Sequence, residues 1–531
     1  MFFARAREKG DAPFLWHKAE GAWTPTSWAE TARQVAALAR ALQALGLKRG
    51  DRVMLVSENR PEFCISDLAI MAAGCITVPT YTTNTERDHQ HIIENSGACA
   101  IIVSNTRLAR VLLPAAIRSS SARMVIGIDD VRAGQPGTMD FHDWRSLIAE
   151  HPTEPATIAA AARFRREELA CIIYTSGTGG SPRGVMQHHG SILANVEGCA
   201  SLIAEDFGWE DEVFLSFLPL SHAYEHTGGQ HFPIALGAQI YYSEGLEKLA
   251  SNIEEVRPTI MVVGAAAVRG AAHADRQDGG EAGAVRDLSA RPRHRDRPAP
   301  RGGQAGAARR ADEPAAGRDA AAAAGEALRR ADQGAGLGRR AAQSRGWGLL
   351  PVARAHLPPG LWPDRGGPVI SCNRPKVGLK MDTVGPPIEG CEVRIADDGE
   401  ILVRGELVMH GYWRNEEETA RVLKNGWLHT GDIGLIDAKG RIQITDRKKD
   451  IIVNDKGDNV APQKIEGMLT LQPEVVQAMI AGDRRPYMTA VLVPDPEWTQ
   501  EWCAASGAKC DFKELAHDPI TGRRWDRRSS G

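Results

Sequence analysis

The sequence predicts an α/β protein, with one large domain followed by a small α+β domain. Three observations carry that prediction. Helix-like and strand-like runs alternate through the first third, which argues for a sheet with helices on both faces. From Glu392 the texture changes to short strands and turns. After Asp446 a helix signal sits among two further apolar runs. In order along the chain, Ser27 with Glu30 forms a capping-box pattern ahead of Val35, Leu38, Leu42 and Leu45 at helical spacing, and Gly46 suits the helix stop. Arg52 to Val56 (RVMLV) and Ala100 to Val103 (AIIV) are short apolar runs of the kind that form buried parallel strands. EVRIADDGEILVRG, from Glu392, is two strand-like runs around Asp398-Gly399, a hairpin signal. A helix candidate follows Pro462, and Val475 to Ile480 and Ala490 to Val493 are apolar.

Composition limits the functional classes. A chain of 531 residues with 43% hydrophobic and 25% charged residues fits a soluble globular protein, and its length predicts two or more domains. A net charge of −3 gives no argument for a polyanion, so no nucleic-acid partner is expected. No run approaches the roughly 18 apolar residues of a membrane span. The start, MFFARAREKGD, is charged early and has no apolar core, which reads as no signal peptide. Nine cysteines without a C-x-x-C pair read as reduced thiols in a cytoplasmic protein.

The middle follows none of this. Residues 264 to 366 contain 18 Arg and no Lys, Ile, Phe, Tyr, Met, Asn, Thr or Cys. A disordered basic linker is one reading, because so few branched and aromatic side chains bury too little apolar surface to offset chain entropy. A second reading is GC-rich DNA translated in a wrong frame, since most of the missing residue types have A/T-rich codons.

CIIYTSGTGGSPRGV, Cys171 to Val185, is the most specific stretch. An apolar run feeds a loop of Thr175, Ser176, Gly177, Thr178, Gly179, Gly180 and Ser181, closed by Pro182, Arg183 and Gly184. Backbone without side chains lets N–H groups converge on an anion, hydroxyls add donors, and Arg183 adds charge, which suits a triphosphate. It is not a Walker A loop, which needs a Lys-Ser or Lys-Thr pair after the glycines. Taken alone, it could also be a flexible Gly/Ser turn.

YTSGTGGSPRG resembles the phosphate-binding signature of the AMP-forming acyl-CoA synthetases, in the adenylate-forming superfamily, with Gly179 in place of a Thr and Arg183 in place of a Lys. Other segments resemble that family in the same order. FLPLSHAYEHTGG, Phe217 to Gly229, is similar to the motif whose His lies beside the acyl carboxylate, which maps to His222. GWLHTGDIG, Gly426 to Gly434, is similar to the segment whose Asp contacts the ribose hydroxyls, which maps to Asp432. TDRKKDIIV, Thr445 to Val453, is similar to the hinge segment, with Arg447 for ribose and phosphate and Lys449 at the pivot. GDNVAPQKIE, from Gly457, is similar to the stretch that approaches the CoA pantetheine. Each has a plainer alternative: a structural His, a turn-capping Asp, a solvated basic turn. VPTYTTNT (Val78 to Thr85) and VRGELVMHGYW resemble the long-chain fatty acid branch more than the luciferase or peptide-synthetase branches.

The resemblance covers roughly residues 10 to 263 and 367 to 500. It implies a large adenylate-forming domain over 1–445, with layered sheets, helices and a β-rich subdomain, and a mobile C-terminal domain over 446–531. It implies ATP-dependent conversion of a long-chain fatty acid to acyl-AMP and then acyl-CoA, with ATP, Mg2+ and CoA as the small molecules. Peripheral membrane contact and oligomeric state stay open. The family's S-G-G-A-P-L and G-Y-G-Q-T-E segments, the second of which carries the metal-holding Glu, are missing from this sequence, so no metal ligand is assigned.

The second reading of the middle accounts for their absence. GLWPDRGG, Gly360 to Gly367, written GGG CTA TGG CCA GAC CGA GGC GGG, shifts by one base to G-Y-G-Q-T-E-A. The same shift on GLGRRAAQSR, Gly336 to Arg345, can give V-S-G-G-A-P-L-N-P, and on AAVRG, Ala266 to Gly270, R-L-F-E-V. Three family segments at three expected places point to a frame-shifted translation over about 264 to 366, with the frame regained near Gly367-Pro368. The Arg-rich end, GRRWDRRSSG, lacks the family's C-terminal Lys and reads as a second shift near residue 519 that leaves the C-terminal domain incomplete. The alternative function is therefore a catalytically inactive remnant. Nucleotide sequencing across codons 260 to 370 is expected to show one inserted or deleted base near each end. An uninterrupted frame encoding the same protein in close relatives would refute it.

Overall fold

The computed structural model describes residues 1–131, 139–175, 181–206, 208, 211–262, 349–350, 369–378, 380, 382–448, 452–453, 459–460, 462–470, 472 and 474–506. These residues form two compact units: one from Met1–Cys391 and Gly405–Ala420, the other from Glu392–Arg404 and the residues from Arg421 onward. The segment assigned above to another reading frame lies outside the described residues, apart from Leu349–Leu350, a two-residue strand antiparallel to Met261–Val262. The residues after 506, where the second shift is expected, also lie outside them.

The first unit is organised by an eight-stranded sheet. In spatial order its strands are Gly411–Tyr412, Arg183–His188, Leu169–Thr175, Ile76–Pro79, Arg52–Val56, Ala100–Val103, Met124–Gly127 and Asp140–Asp143. The pairings from Leu169–Thr175 to Asp140–Asp143 are parallel, and the two on the other side are antiparallel. Successive strand side chains point to opposite faces. Val53 and Leu55, with Ala100 and Ile102, therefore enter one apolar cluster, while Met54 and Val56, with Ile101 and Val103, enter another. Strands buried on both faces are uniformly apolar rather than alternating, which is why RVMLV and AIIV were readable as parallel strands.

A second sheet in this unit orders Val213–Ser216, Gln239–Tyr242, Pro13–Ala19 and Ala22–Ser27. The helix Trp28–Ala44 follows directly, and its Trp28 stacks on Phe14 with ring centroids 3.6 Å apart. Ser27 caps it by accepting the Glu30 N–H at 3.1 Å. The expected capping box is only half formed, because the Glu30 carboxylate turns outward to Arg33 and Gln34. A complete box occurs at Thr85 and Asp88, at the start of the helix Glu86–Ser96. The eight described cysteines are all free, and no described helix is long and apolar enough to cross a membrane.

In the second unit, Glu392–Ile395 and Glu400–Arg404 form the expected antiparallel hairpin, with Gly399 at φ +83° in its turn. That pair extends into a five-stranded antiparallel sheet through Trp427–Ile436, Leu423–Lys424 and Ile442–Arg447. The expected helix is Pro462–Leu469, and the two apolar runs pair as Val475–Ala481 with Thr489–Pro494.

Gly184 shows how tightly the antiparallel edge of the first sheet is packed. It faces Tyr174 across the ladder, and a Cβ there would lie 2.7 Å from Ile172 Cγ2 and 3.0 Å from the Tyr174 ring. Gly184→Ala is expected to lower stability by about 1–3 kcal/mol, the usual range for overpacking. Urea unfolding followed by circular dichroism measures it, and an unchanged midpoint would show that the hairpin yields freely.

Candidate active site

Thr175 and Arg183 are opposite each other on the antiparallel strands Leu169–Thr175 and Arg183–His188, so the hairpin clamps both ends of the Gly/Ser loop. Ser176, Gly177, Thr178, Gly179 and Gly180 lie outside the described residues. At the exit of the loop, the Pro182 carbonyl meets His91 Nε2 at 2.9 Å. Arg183 is engaged on its far side: Nη1 bonds Glu418 at 2.5 Å, and the guanidinium lies over the Tyr412 ring, 5.8 Å from its centroid. The sequence did not signal this pairing, since Glu418 is 235 positions away.

His222 is half-buried at the start of the short helix Ala223–Glu225. Its Nδ1 accepts the Tyr224 N–H at 3.1 Å, so the ring proton resides on Nε2. Tyr81, just past the strand Ile76–Pro79, stands edge-on to the ring with centroids 6.4 Å apart. This brings the VPTYTTNT segment and the His222 motif together. The loop before His222 is tied down by Asn59, whose amide donates to the Leu218 carbonyl at 2.7 Å while its Oδ1 accepts the Leu220 N–H at 3.0 Å. Asn59 also donates to Ser216 Oγ, which in turn donates to Glu225 at 2.6 Å. Glu225 is completely buried, and burial pushes its carboxyl up to about 8, so it is a neutral acid at pH 7. Gly229 leaves the room it occupies, since a Cβ there would come within 2.4 Å of the Glu225 carboxyl. Asn59 and Glu225 were missed by sequence reasoning. The one available signal was a Glu within an otherwise largely uncharged motif.

In the second unit Asp432 and Arg447, expected to act on one ligand, are direct cross-strand partners. Arg447 Nε is 3.1 Å from Asp432 Oδ1, with the carboxylate buried and the guanidinium largely exposed. Gly431, at φ +78°, supplies the backbone turn immediately before Asp432. Glu400 fixes that turn: its carboxylate accepts the Gly431 N–H at 2.9 Å, His429 Nδ1 at 2.9 Å and Lys448 Nζ at 2.8 Å. Burial works to raise Glu400, but Lys448, His429 and the Gly431 N–H together hold it below its ordinary value. Glu400 was also missed, because its partners converge from 29 and 48 positions away. Lys449 and Gly457 lie outside the described residues.

The profile of the AMP-binding enzymes matches residues 2–413. The chain belongs to that family. Among curated relatives, the long-chain-fatty-acid–CoA ligase FadD15 of Mycobacterium tuberculosis is 32% identical over 98% of this chain and 86% of its own length. The peroxisomal long chain acyl-CoA synthetase 7 of Arabidopsis thaliana is 30% identical over 94% of this chain and 73% of its own. The fold is that of the O-succinylbenzoate coenzyme A synthetase of Bacillus subtilis in complex with AMP, with a TM-score of 0.62 at 18% identity over 93% of this chain and 88% of that one. It is equally that of the amide bond synthetase McbA of Marinactinospora thermotolerans, with a TM-score of 0.64 at 21% identity over 94% and 91%. This enzyme is thus an AMP-forming ligase by family, and ATP is its nucleotide substrate.

Because Glu400 is held ionised in the fold, its contribution is whole above about 4.5, where the unfolded carboxyl titrates, and is lost as pH falls through its lower folded value. Glu400→Gln is expected to cost about 1.5–3 kcal/mol at pH 7, as for hydrogen bonds to a charged group. It should also flatten the loss of stability on acidification. Denaturant titrations at pH 3.5 to 7 read both, and parallel curves for the two proteins would rule the role out.

Proposed function

We propose that this enzyme activates a long-chain fatty acid with ATP and passes the acyl group to CoA, with residues 264–366 of the present chain being an out-of-frame replacement. The substrate class rests on the ligase and synthetase relatives and on the VPTYTTNT and VRGELVMHGYW segments. The fatty carboxylate attacks the α-phosphate, releasing pyrophosphate and leaving a mixed anhydride; the CoA thiolate then attacks the acyl carbon and AMP departs. Positioning and charge neutralisation dominate such a reaction. The observation that carries the assignment is the Asp432–Arg447 pair. A buried carboxylate beside an exposed guanidinium offers acceptors for a vicinal diol and a cation for phosphate in one place.

In this reading Thr175 and the loop Ser176–Gly180 bind the phosphates, with Arg183 at the loop's end. Its guanidinium has five N–H donors and can retain Glu418 while offering others. His222, holding its proton on Nε2, acts as a donor to the acyl carboxylate. Lys449 is the pivot of a mobile C-terminal domain over 446–531, and Gly457 begins the stretch that approaches the CoA pantetheine. Magnesium is a hard ion held through oxygens, commonly one or two carboxylates plus phosphates. Among the described residues the one cluster able to hold an ion is Asp67, His226 and His231, whose two imidazoles do not fit magnesium, so no step is derived through it.

Two proteins test the proposal: the 531-residue chain, and a version with the frame restored between Val263 and Gly367 and a complete C-terminal domain. With ATP, magnesium, palmitate and CoA, the restored enzyme is expected to form acyl-AMP and acyl-CoA, and the chain as written neither. In the restored enzyme Asp432→Ala should weaken ATP binding by roughly 1.5–3 kcal/mol in calorimetry. Fatty-acid-dependent pyrophosphate release by the chain as written would overturn the frame-shift reading. An inactive restored enzyme would overturn the ligase reading, and unchanged ATP affinity would remove Asp432 from the site.

A further inference from the structure

Asp67 lies in the helix Pro61–Ala72, PEFCISDLAIMA, and is completely buried. A carboxylate in such surroundings must be met by other polar groups, and three converge on its Oδ2. Gln230 Nε2 lies at 2.7 Å, His226 Nε2 at 3.1 Å and His231 Nε2 at 3.7 Å. His226 and Gln230 are also completely buried, and His231 nearly so.

Local backbone geometry brings the two imidazoles together. His226 and His231 are the first and last residues of a π-helical turn. In an α-helix, at 3.6 residues per turn, residues five apart diverge by about 140° around the axis. A turn with i→i+5 bonding instead puts them on one side, and such turns are frequent at functional sites. The rings are 4.8 Å apart between centroids and inclined at 77°.

The protein leaves this cluster unfinished. Among the described residues, His226 Nδ1, His231 Nε2 and Gln230 Oε1 have no hydrogen-bond partner, although all are buried, while the Thr77 hydroxyl also acts on the Asp67 carboxylate. A proton shared between His226 and Asp67 would complete one contact and leave the others open. A cation bound by nitrogen and oxygen donors would occupy the centre. The ligand atoms of Asp67, His226 and His231 all lie within 4.8 Å of one another. The 3.1 and 3.7 Å separations from Asp67 Oδ2 bracket the roughly 3.3 Å edge of a tetrahedron with zinc-to-nitrogen and zinc-to-oxygen bonds near 2.0–2.1 Å, and the widest pair, at 4.8 Å, must close toward that edge when the ion binds.

We propose that Asp67, His226 and His231 bind a structural zinc ion, with the Gln230 amide oxygen as fourth donor once the amide turns over. Two imidazoles and a carboxylate suit zinc and disfavour magnesium or calcium, which take oxygen ligands. With all four donors buried, the ion has no open position for substrate and serves to cross-link. It joins the helix Pro61–Ala72 to the turn that begins four residues after His222. The site is independent of the fatty acid assignment and of the nucleotide site.

Its test is metal content rather than activity. The full chain, produced in medium supplemented with zinc and desalted through EDTA, is expected to carry about one zinc per chain by plasma mass spectrometry. His231→Phe and His226→Gln should each reduce that to background. Production in cobalt medium gives a second readout on the unmutated chain, a visible absorption band from cobalt in a nitrogen- and oxygen-donor site, which keeps the test decisive if either variant fails to fold. Zinc below about a tenth of an equivalent together with no cobalt band would overturn the site and leave a protonated hydrogen-bond network in its place. Full zinc content in both folded variants would overturn it equally.

Discussion

The sorting of alternate residues on the parallel strands into two apolar layers is the constraint on which the rest of the first unit depends. Val53 and Leu55 face one layer and Met54 and Val56 the other, so a slip of one residue would exchange the two layers. Register is thereby fixed along the parallel part of the sheet, and with it the places where the strands end. Leu169–Thr175 and Ile76–Pro79 are adjacent and parallel. The phosphate-loop candidate follows the first and the Tyr81 segment follows the second. Both therefore emerge from the same edge, the carboxyl ends of parallel strands, where open α/β sheets place their ligands. The functional segments are anchored in that core, since Val78 and Tyr174 belong to one layer and Cys171, Ile173, Leu220 and Ala223 to the other.

Much of this was legible because it is local. A capping Ser, uniformly apolar four- and five-residue runs, an Asp-Gly turn between alternating strands and a proline-led helix are written within a few positions, and each lies where the sequence put it. What was not legible is supplied from a distance. Glu30 has the right spacing for a capping box, yet its carboxylate has Arg33 and Gln34 within reach and takes them. Thr85 and Asp88 close the box reciprocally, the Asp88 carboxylate accepting both the Thr85 N–H and its hydroxyl. Likewise, nothing near Arg183 announces Glu418, and nothing near Glu400 announces Lys448.

Those distant carboxylates bear on the site residues in two different ways. Glu418 restrains Arg183 by charge, while Tyr412 restrains it by shape, since a planar guanidinium can lie on an aromatic face. A lysine at that position could keep the ion pair but would lose the planar contact. Arg183 is therefore matched to its surroundings as well as to any anion it meets. Glu400 acts on backbone instead: by accepting the Gly431 N–H it holds the turn that sets the direction of Asp432. The two carboxylates need no contact with a ligand to control how one is met.

Burial explains why the polar groups around His222 come as a network. Burial pushes the Glu225 carboxyl up to about 8, so Ser216, itself held by Asn59, donates to a largely neutral acid at pH 7. Asp67, in the helix Pro61–Ala72, is in the opposite situation. Burial works to raise it, yet His226 and His231 hold it below its ordinary value, which makes it the fixed negative charge of this region. One carboxyl is kept neutral and the other ionised within a single motif and the helix it packs against. The loop that carries His222 is thus held between two buried acids of different charge, each needing a different partner. The neutral one bonds Ser216 through Oε1 and keeps Oε2 without a hydrogen-bond partner among the described residues, while the charged one is met by Gln230, His226 and His231.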